Sequence, residues 1–311
     1  MTTRREALQF SLAGALLAAL PRGWAAVADG PMKRAIPRSG QQIPVVGLGS
    51  SATFSQLAGS QEIGALREVI AELARLGGTV FDTAPSYGAS EQVAGDIARE
   101  LKLTDAMFWA TKVNVAGRGG GAADPAAARA QIESSFAKLG KQPIDLIQVH
   151  NLGDVPVQLG ILKELREAGR VRHIGVTTTF PAQYPQLIEV MQAEPLDFIG
   201  IDYAIDNRAI EERILPLAQE KGIAVMVYLP FGRTRLWERM RGKDLPDWAA
   251  EIDAVSWAQF FLKFVLAHPA VTVVTPATSK AKHMADNLGA AYGRLPDAAM
   301  RERMIGHIAG L

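Results

Sequence analysis

From Val45 onward, short β-rich apolar runs alternate with longer segments whose apolar positions recur at helical spacing. The runs VVGLG (45–49), TVFD (79–82), MFWATK (107–112), IDLIQV (144–149), VRHIGV (171–176), DFIGID (197–202), IAVMVY (223–228) and VTVVTP (271–276) read as strands. Between them, EIGALREVIAELARL (62–76) and AAARAQIESSFAKL (126–139) read as amphipathic helices. Eight strands, each followed by a helix, is the count of a closed parallel (β/α)8 barrel of the TIM type, an α/β fold. An open doubly wound sheet is the competing arrangement. It usually has fewer strands, and no G-x-G-x-x-G follows the first one here. Ahead of the barrel, MKRAIPRSGQQIPVV predicts a β-hairpin turning at Ser39-Gly40 and placed to plug the barrel's lower end. Two connections are long, the glycine-rich 114–123 and the 231–252 stretch that holds Trp237 and Trp248. Both follow strand C-termini, the face on which barrel active sites sit.

The first 28 residues break this pattern. Arg4 and Arg5 precede an apolar run from Ser11 to Leu20, and Ala26-Val27-Ala28 follows as a small-residue cleavage site. Paired arginines after Thr3 resemble a bacterial twin-arginine export signal, which implies a periplasmic or otherwise exported protein and the twin-arginine machinery as a partner. A ten-residue run is about half of the ~20 that span a bilayer, so no stable membrane anchor is expected. Residues 29–311 are then the barrel domain. Composition suits one large domain, 48% hydrophobic and 21% charged. With no cysteine, thiol catalysis and iron–sulfur or zinc–thiolate sites are excluded. Removing residues 1–28 takes three of 33 basic and one of 32 acidic side chains, leaving a formal net charge of −1. Nothing in that balance resembles a nucleic-acid binder, and a monomer is expected.

Four polar residues fall at or just beyond the C-terminal ends of three predicted strands: Asp82, Tyr87, Lys112 and His150. Strand alternation puts Lys112 on one face with Phe108 and Ala110, leaving Trp109 to pack against helices as ordinary core. Singly, each has a bland reading as a cap, an interfacial aromatic, a surface charge or a buried imidazole. Together they form a candidate catalytic group. His173, near the start of its strand, and His268, beside Pro269, read as structural. No H-E-x-x-H, H-x-H or carboxylate cluster suggests a metal site, and no G-x-S-x-G elbow suggests a serine nucleophile.

The strings FDTAPSYGASEQVAG (81–95), ATK (110–112), DLIQVHN (145–151), RVRHIGV (170–176) and DNLGA (286–290) resemble the aldo-keto reductase family, in order and spacing from about Ile43 to Ala290. The resemblance implies a small carbonyl substrate reduced with NADPH (or NADH), and a catalytic tetrad at Asp82, Tyr87, Lys112 and His150. Tyr87 would be the general acid, although a free phenol titrates near about 10. A lysine ammonium roughly 4 Å away contributes about 4 kcal/mol at an effective dielectric near 20, or about three pK units, which brings the phenol towards neutrality. Asp82 would hold Lys112 charged, and His150 would donate to or orient the substrate oxygen.

On the cofactor side the resemblance puts Tyr228 where relatives stack a ring on the nicotinamide. Leu229, Phe231 and Arg233 fall at the pyrophosphate, and Asn287 at the adenine. The 231–252 loop could close over the nucleotide, with Trp237 or Trp248 as the contact. Where relatives grip the carboxamide with Ser-Asn and a Gln, this chain has Thr177, Thr178 and Gly200. One or two lost hydrogen bonds of roughly 1 kcal/mol each would weaken binding about five- to thirtyfold. Thr278, Ser279, Lys280 and His283 stand near the expected 2′-phosphate, with Lys280 as the charge. The aromatic that often follows the first strand's loop is Ser51, and Phe54 with the two long loops would shape the substrate wall. The alternative is an exported nucleotide-binding barrel with little or no reductase turnover.

Overall fold

All eight apolar runs form strands of one parallel sheet. The computed structural model describes residues 30–60, 63–116 and 121–311. The predicted export signal and the centre of the glycine-rich loop lie outside the described residues. A two-stranded antiparallel hairpin, β1 (Lys33–Ala35) and β2 (Gln42–Pro44), comes first. The parallel strands are β3 (Leu48–Gly49), β4 (Val80–Asp82), β5 (Phe108–Val113), β6 (Ile144–Val149), β7 (Val171–Thr178), β8 (Phe198–Asp202), β9 (Ala224–Tyr228) and β10 (Val271–Val274), paired in chain order. The helices are α1 (Thr53–Ala58), α2 (Ile63–Arg75), α3 (Ser90–Glu100), α4 (Pro125–Leu139), α5 (Val155–Glu167), α6 (Tyr184–Ala193), α7 (Ile214–Lys221), α8 (Arg235–Arg239), α9 (Trp257–Leu266), α10 (Ala281–Gly289) and α11 (Ala298–Gly310).

The first and last strands meet through parallel bridges Val46–Val274 and Gly49–Ala277, which closes the barrel. At this seam the Gly47 N–H donates to Val274 O at 2.9 Å and the Val274 N–H to Val45 O at 2.9 Å. A Cβ on Gly47 would lie 2.7 Å from Val80 O, and one on Gly49 2.6 Å from Thr275 O, so only glycine lets the backbones approach this closely. The seam explains why strand β3 is shorter than the run 45–49: its first residues are used for closure.

The hairpin turns at Ser39-Gly40 as expected, with Gly40 at φ 72° and its N–H donating to Ile36 O. Ile36 and Ile43 enter the lower end of the barrel and join Val80, Phe108, Ala110, Leu146, Phe198, Ala224, Met226 and Val273 in one apolar cluster. Arg34 ties the hairpin to the last crossover by donating to the carbonyls of Leu266, His268 and Val271. His173 faces the same end, its Nε2 paired with Gln41 Oε1 at 3.2 Å and its ring stacked on Phe108. Burial lowers its pKa, which keeps the imidazole neutral. His268 Nδ1 accepts from the Ala270 N–H, also a structural role.

This apolar cluster fixes what lies above it. Side chains alternate along a strand, so the residue two positions beyond each cluster member faces the same lumen one layer higher. Beyond Val80, Ala110, Leu146 and Met226 stand Asp82, Lys112, Gln148 and Tyr228. Trp109, on the opposite face, is fully buried against Phe81, as expected.

The 231–252 connection is not a bare loop. It contains α8 and a 3₁₀ turn over Asp247–Ile252. Trp248 packs on Phe260 and His307 with the Arg303 guanidinium over its ring, so it anchors α11 and cannot serve as a lid contact. Trp237 is 39% exposed and packs on Phe231 at 4.7 Å between centroids. Among the described residues, no helix is long and apolar enough to cross a membrane.

If the hairpin is a structural plug, Ile43→Ala should destabilise the protein by about 2–5 kcal/mol, the usual cost of a truncated core isoleucine. Urea unfolding monitored by circular dichroism measures it, and a loss of stability too small to resolve would contradict the plug.

Candidate active site

Lys112 reaches the upper lumen from β5 and is 1% exposed. Its ammonium donates to both carboxylate oxygens of Asp82, at 2.8 and 3.0 Å, and to the Thr83 carbonyl at 2.7 Å. Burial by itself lowers the lysine's pKa, but the Asp82 carboxylate and the Tyr87 hydroxyl outweigh it, so the pKa lies above its ordinary value. The amine is therefore held charged although it is buried.

Tyr87 lies in the turn between β4 and α3, where Gly88 at φ 59° lets the chain double back into the helix. Its ring centroid is 5.1 Å from Lys112 Nζ. Across the mouth the His150 ring meets Tyr87 edge-on, with centroids 5.9 Å apart at 82°. His150 opens a 3₁₀ turn in which Asn151 and Leu152 take left-handed φ values of 54° and 53°. That conformation costs energy in non-glycine residues and is common where a functional side chain must be aimed. The turn is tied down by Asn151 N–H donating to Thr177 Oγ1 at 3.2 Å, and Ser86 Oγ lies 3.5 Å from His150 Nδ1. The structure thus brings all four predicted residues together at the C-terminal ends of β4, β5 and β6.

Tyr228, the last residue of β9, points its hydroxyl into the lumen. The hydroxyl donates to Asp82 Oδ1 at 3.2 Å and accepts from Gln148 Nε2 at 2.9 Å. Burial and the Asp82 charge raise the Tyr228 phenol well above its ordinary pKa, so it stays protonated. Gln148 was not anticipated from sequence. Its signal was present: it shares a strand face with Leu146 and pairs in register with Lys112, so an inward-facing strand position carries an amide. Thr83 contributes only a backbone carbonyl, which its residue type does not reveal.

Of the two hydroxyls expected at the carboxamide, that of Thr178 is committed within the protein. Thr178 is fully buried; its Oγ1 donates to Gln183 Oε1 at 2.5 Å and accepts from the Phe180 N–H at 3.1 Å. Thr177 Oγ1 accepts from Asn151. Gln183 in turn donates to Asn151 O at 3.1 Å, which joins the connections after β6 and β7. After β9, Leu229, Gly232 and Arg233 take left-handed φ values of 53°, 57° and 62°; Phe231 is paired with Trp237 and Arg233 is exposed. After β10, Thr278 Oγ1 accepts from the Lys280 N–H at 3.2 Å, and Ser279 is half-buried. Lys280 and His283 are exposed, as is Lys282 between them, a second cation absent from the expected set. Burial, then Lys280 and Lys282, lower the His283 pKa, leaving it neutral near pH 7. Asn287 is buried on α10.

This donor set fits a phosphate ester better than it fits a carboxamide. Lys280 and Lys282, both exposed, Ser279 and the N-terminus of α10 follow one another after β10, while the Thr278 hydroxyl is spent on the Lys280 backbone. At the carboxamide position the Thr178 hydroxyl is already paired as donor and acceptor, and Gly200 has no side chain.

A profile of the Aldo/keto reductase family matches residues 45–303. The chain is similar to a probable aldo-keto reductase 1 of Glycine max, 28% identical over 277 residues that cover 75% of this chain and 77% of that one. Another similar sequence is an aldo-keto reductase of Bacillus subtilis, 29% identical over 62% of this chain and 60% of that protein. Among solved structures, the holo form of a Bacillus halodurans aldo-keto reductase superposes with a TM-score of 0.70 at 22% identity, covering 89% of this chain and 96% of its own. A Klebsiella pneumoniae aldo/keto reductase in complex with NADP and acetate has a TM-score of 0.70 at 23% identity, covering 89% and 95%.

Replacing Lys112 with methionine leaves the Asp82 carboxylate buried without its counterion. Loss of one partner from a buried pair costs about 3–5 kcal/mol. Lys112→Met should therefore melt several degrees lower than the parent in a thermal scan, and an unchanged melting temperature would show that the pair is not buried in solution.

Proposed function

The chain belongs to the aldo/keto reductase family, and from that premise we propose that it reduces an aldehyde or ketone to an alcohol with a nicotinamide nucleotide, NADPH or NADH. The observation that carries the reading is the buried Lys112 ammonium, fixed by Asp82 and facing the Tyr87 ring at 5.1 Å, with the His150 ring edge-on to Tyr87.

The nucleotide, when bound, supplies the hydride. The chain's own residues handle the proton and the charge. Tyr87 holds a proton where an alkoxide oxygen develops, and Lys112 favours the phenolate left after that proton is given. Asp82 keeps Lys112 charged and in place. His150 donates to or orients the carbonyl oxygen from the side opposite Lys112. Lys280 and Lys282, with Thr278 and Ser279, are the residues to hold a 2′-phosphate, which favours NADPH over NADH; the Klebsiella relative's structure contains NADP. Arg233, in a turn left-handed at Leu229, Gly232 and Arg233, would hold the pyrophosphate, and Tyr228 the nicotinamide ring.

A second reading has its own support. The Thr178 hydroxyl is already satisfied and Gly200 offers no side chain, so a weakly held nicotinamide would give a nucleotide-binding barrel with little turnover. Tyr87→Phe separates the two. The variant should lose carbonyl reduction by at least about a hundredfold, the low end of general acid–base contributions, while nucleotide binding measured by fluorescence stays close to the parent. Substantial turnover in the variant would overturn the tetrad, and a parent inactive on a broad carbonyl panel with both nucleotides would favour the binder.

We also propose export through the twin-arginine route, on the order of charged, apolar and small residues in 1–28. Replacing Arg4 and Arg5 with lysines should retain the protein in the cytoplasm of a bacterial host, as read by cell fractionation. Undiminished export would remove the basis for this assignment.

A further inference from the structure

Tyr228 is more than an aromatic surface in the upper lumen. Its hydroxyl is surrounded by Asp82 Oδ1 at 3.2 Å, Gln148 Nε2 at 2.9 Å and Met226 Sδ at 3.5 Å. Each proton in this group can be assigned. Burial pushes the Asp82 pKa up and the Lys112 ammonium pulls it back; both carboxylate oxygens accept from that ammonium, so Tyr228 donates to Asp82 in preference to the weakly accepting thioether. The phenol oxygen must then be the acceptor for Gln148, which has to present its NH2. That choice leaves Gln148 Oε1 buried with no hydrogen-bond partner in the protein. A buried amide seldom gives up a bond unless its orientation is imposed by something stronger. Here the carboxylate imposes it.

Gly200 makes the arrangement sterically possible. A Cβ at that position would fall 2.5 Å from Tyr228 Cε2, 2.6 Å from its hydroxyl oxygen and 2.8 Å from Cζ. The glycine that removes a side chain from the expected carboxamide grip is the space into which the tyrosine ring settles. The one departure, Gly200, and the ring from β9 are linked, because the ring lies against the bare backbone of β8.

From these contacts we infer that Gln148, Tyr228 and Asp82 form a directed hydrogen-bond relay in which Tyr228 is a positioning residue for the acid Tyr87, acting through the Asp82–Lys112 pair. This inference rests on the reductase reading for its purpose, though not for its geometry. Asp82 shares Oδ1 between the Lys112 ammonium and the Tyr228 hydroxyl. A hydrogen bond donated to a carboxylate stabilises its charge and weakens its hold on other cations and protons. With Tyr228 in place, less of the Lys112 charge is cancelled at Asp82 and more of it acts on Tyr87. Without the hydroxyl, Asp82 neutralises Lys112 more fully and Tyr87 becomes a weaker acid. Gln148 keeps the phenol pointed the right way.

The test compares the parent with Tyr228→Phe and Gly200→Ala, each in versions with and without Tyr87→Phe. Tyrosinate absorbance is followed against pH in the nucleotide-free full chain, and the difference within each pair isolates Tyr87 from the other tyrosines and from His150, Asp82 and Lys112 around it. Tyr228→Phe keeps the ring and deletes the hydroxyl; Gly200→Ala keeps the hydroxyl and displaces the ring, so one survives if the other fails to fold. In both, the Tyr87 midpoint should rise by roughly half a pH unit or more, well outside the error of such titrations. The basic limb of the pH profile for carbonyl reduction should move up with it, with kcat lowered several-fold and KM for the carbonyl little changed. Midpoints that coincide with the parent's overturn the relay, whatever the activity. A shifted midpoint in a protein that reduces no carbonyl with either nucleotide sinks the reductase reading and leaves the relay standing.

Discussion

An ammonium group that never meets water must find every one of its partners inside the fold, and Lys112 sets that requirement here. Withdrawing such a charge from solvent costs several kcal/mol even after relaxation, and the return depends on close, correctly placed acceptors. Asp82 supplies two and the Thr83 carbonyl a third, all from the end of β4. These contacts exist only in one register of β4 against β5, in which Val80 faces Phe108 and Asp82 faces Ala110. A slip of one residue would turn Lys112 towards the helices and Trp109 into the lumen. The register is held by the apolar layer beneath, and that layer is completed by Ile36 and Ile43 of the hairpin. The buried charge thus depends on a plug at the other end of the barrel.

The same vertical ordering separates stability from chemistry. Below the polar layer the lumen holds side chains that only pack, and the one imidazole there is kept neutral by burial. Above it, the connections after β6 and β7 spend their hydroxyls and amides on each other, through Asn151, Thr177, Thr178 and Gln183. This fixes the strained turn that aims His150. Groups that would otherwise be free to hold a ligand are thereby used to hold the turn that carries His150.

Much of this was legible in the residues because strands have a period of two. The alternation in MFWATK was enough to send Lys112 inward and Trp109 outward, and the strand ends located Asp82 and His150. The same rule applied to IDLIQV would have found Gln148. What the sequence could not show was commitment. Thr177 and Thr178 have the right chemistry for a carboxamide, yet their partners lie on neighbouring connections distant in sequence. Gly200 looked like a simple deletion, because the ring that fills its space comes from another strand. Trp248 sits in a long connection and looked available, but its surroundings are α9 and α11. Strand edges, periodicity and local motifs are encoded nearby in the chain; the occupancy of a hydrogen-bonding group is decided by tertiary neighbours.

The seam between β3 and β10 bears on how the polypeptide is made. Val45 and Gly47 wait for Val274, and Arg34 waits for the carbonyls of Leu266, His268 and Val271, more than two hundred residues later. A ribosome delivers the N-terminal segments first, so the hairpin and the opening strand leave the exit tunnel without the partners that close them. Contacts of such long sequence separation form slowly, because a large loop must be ordered before they repay its entropy. Throughout elongation the nascent barrel is an open sheet with two unpaired edges, the kind of surface that invites chaperones. The seal exists only once the last strand has emerged, whereas the floor can begin to pack on Val80, Phe108 and Leu146 before then.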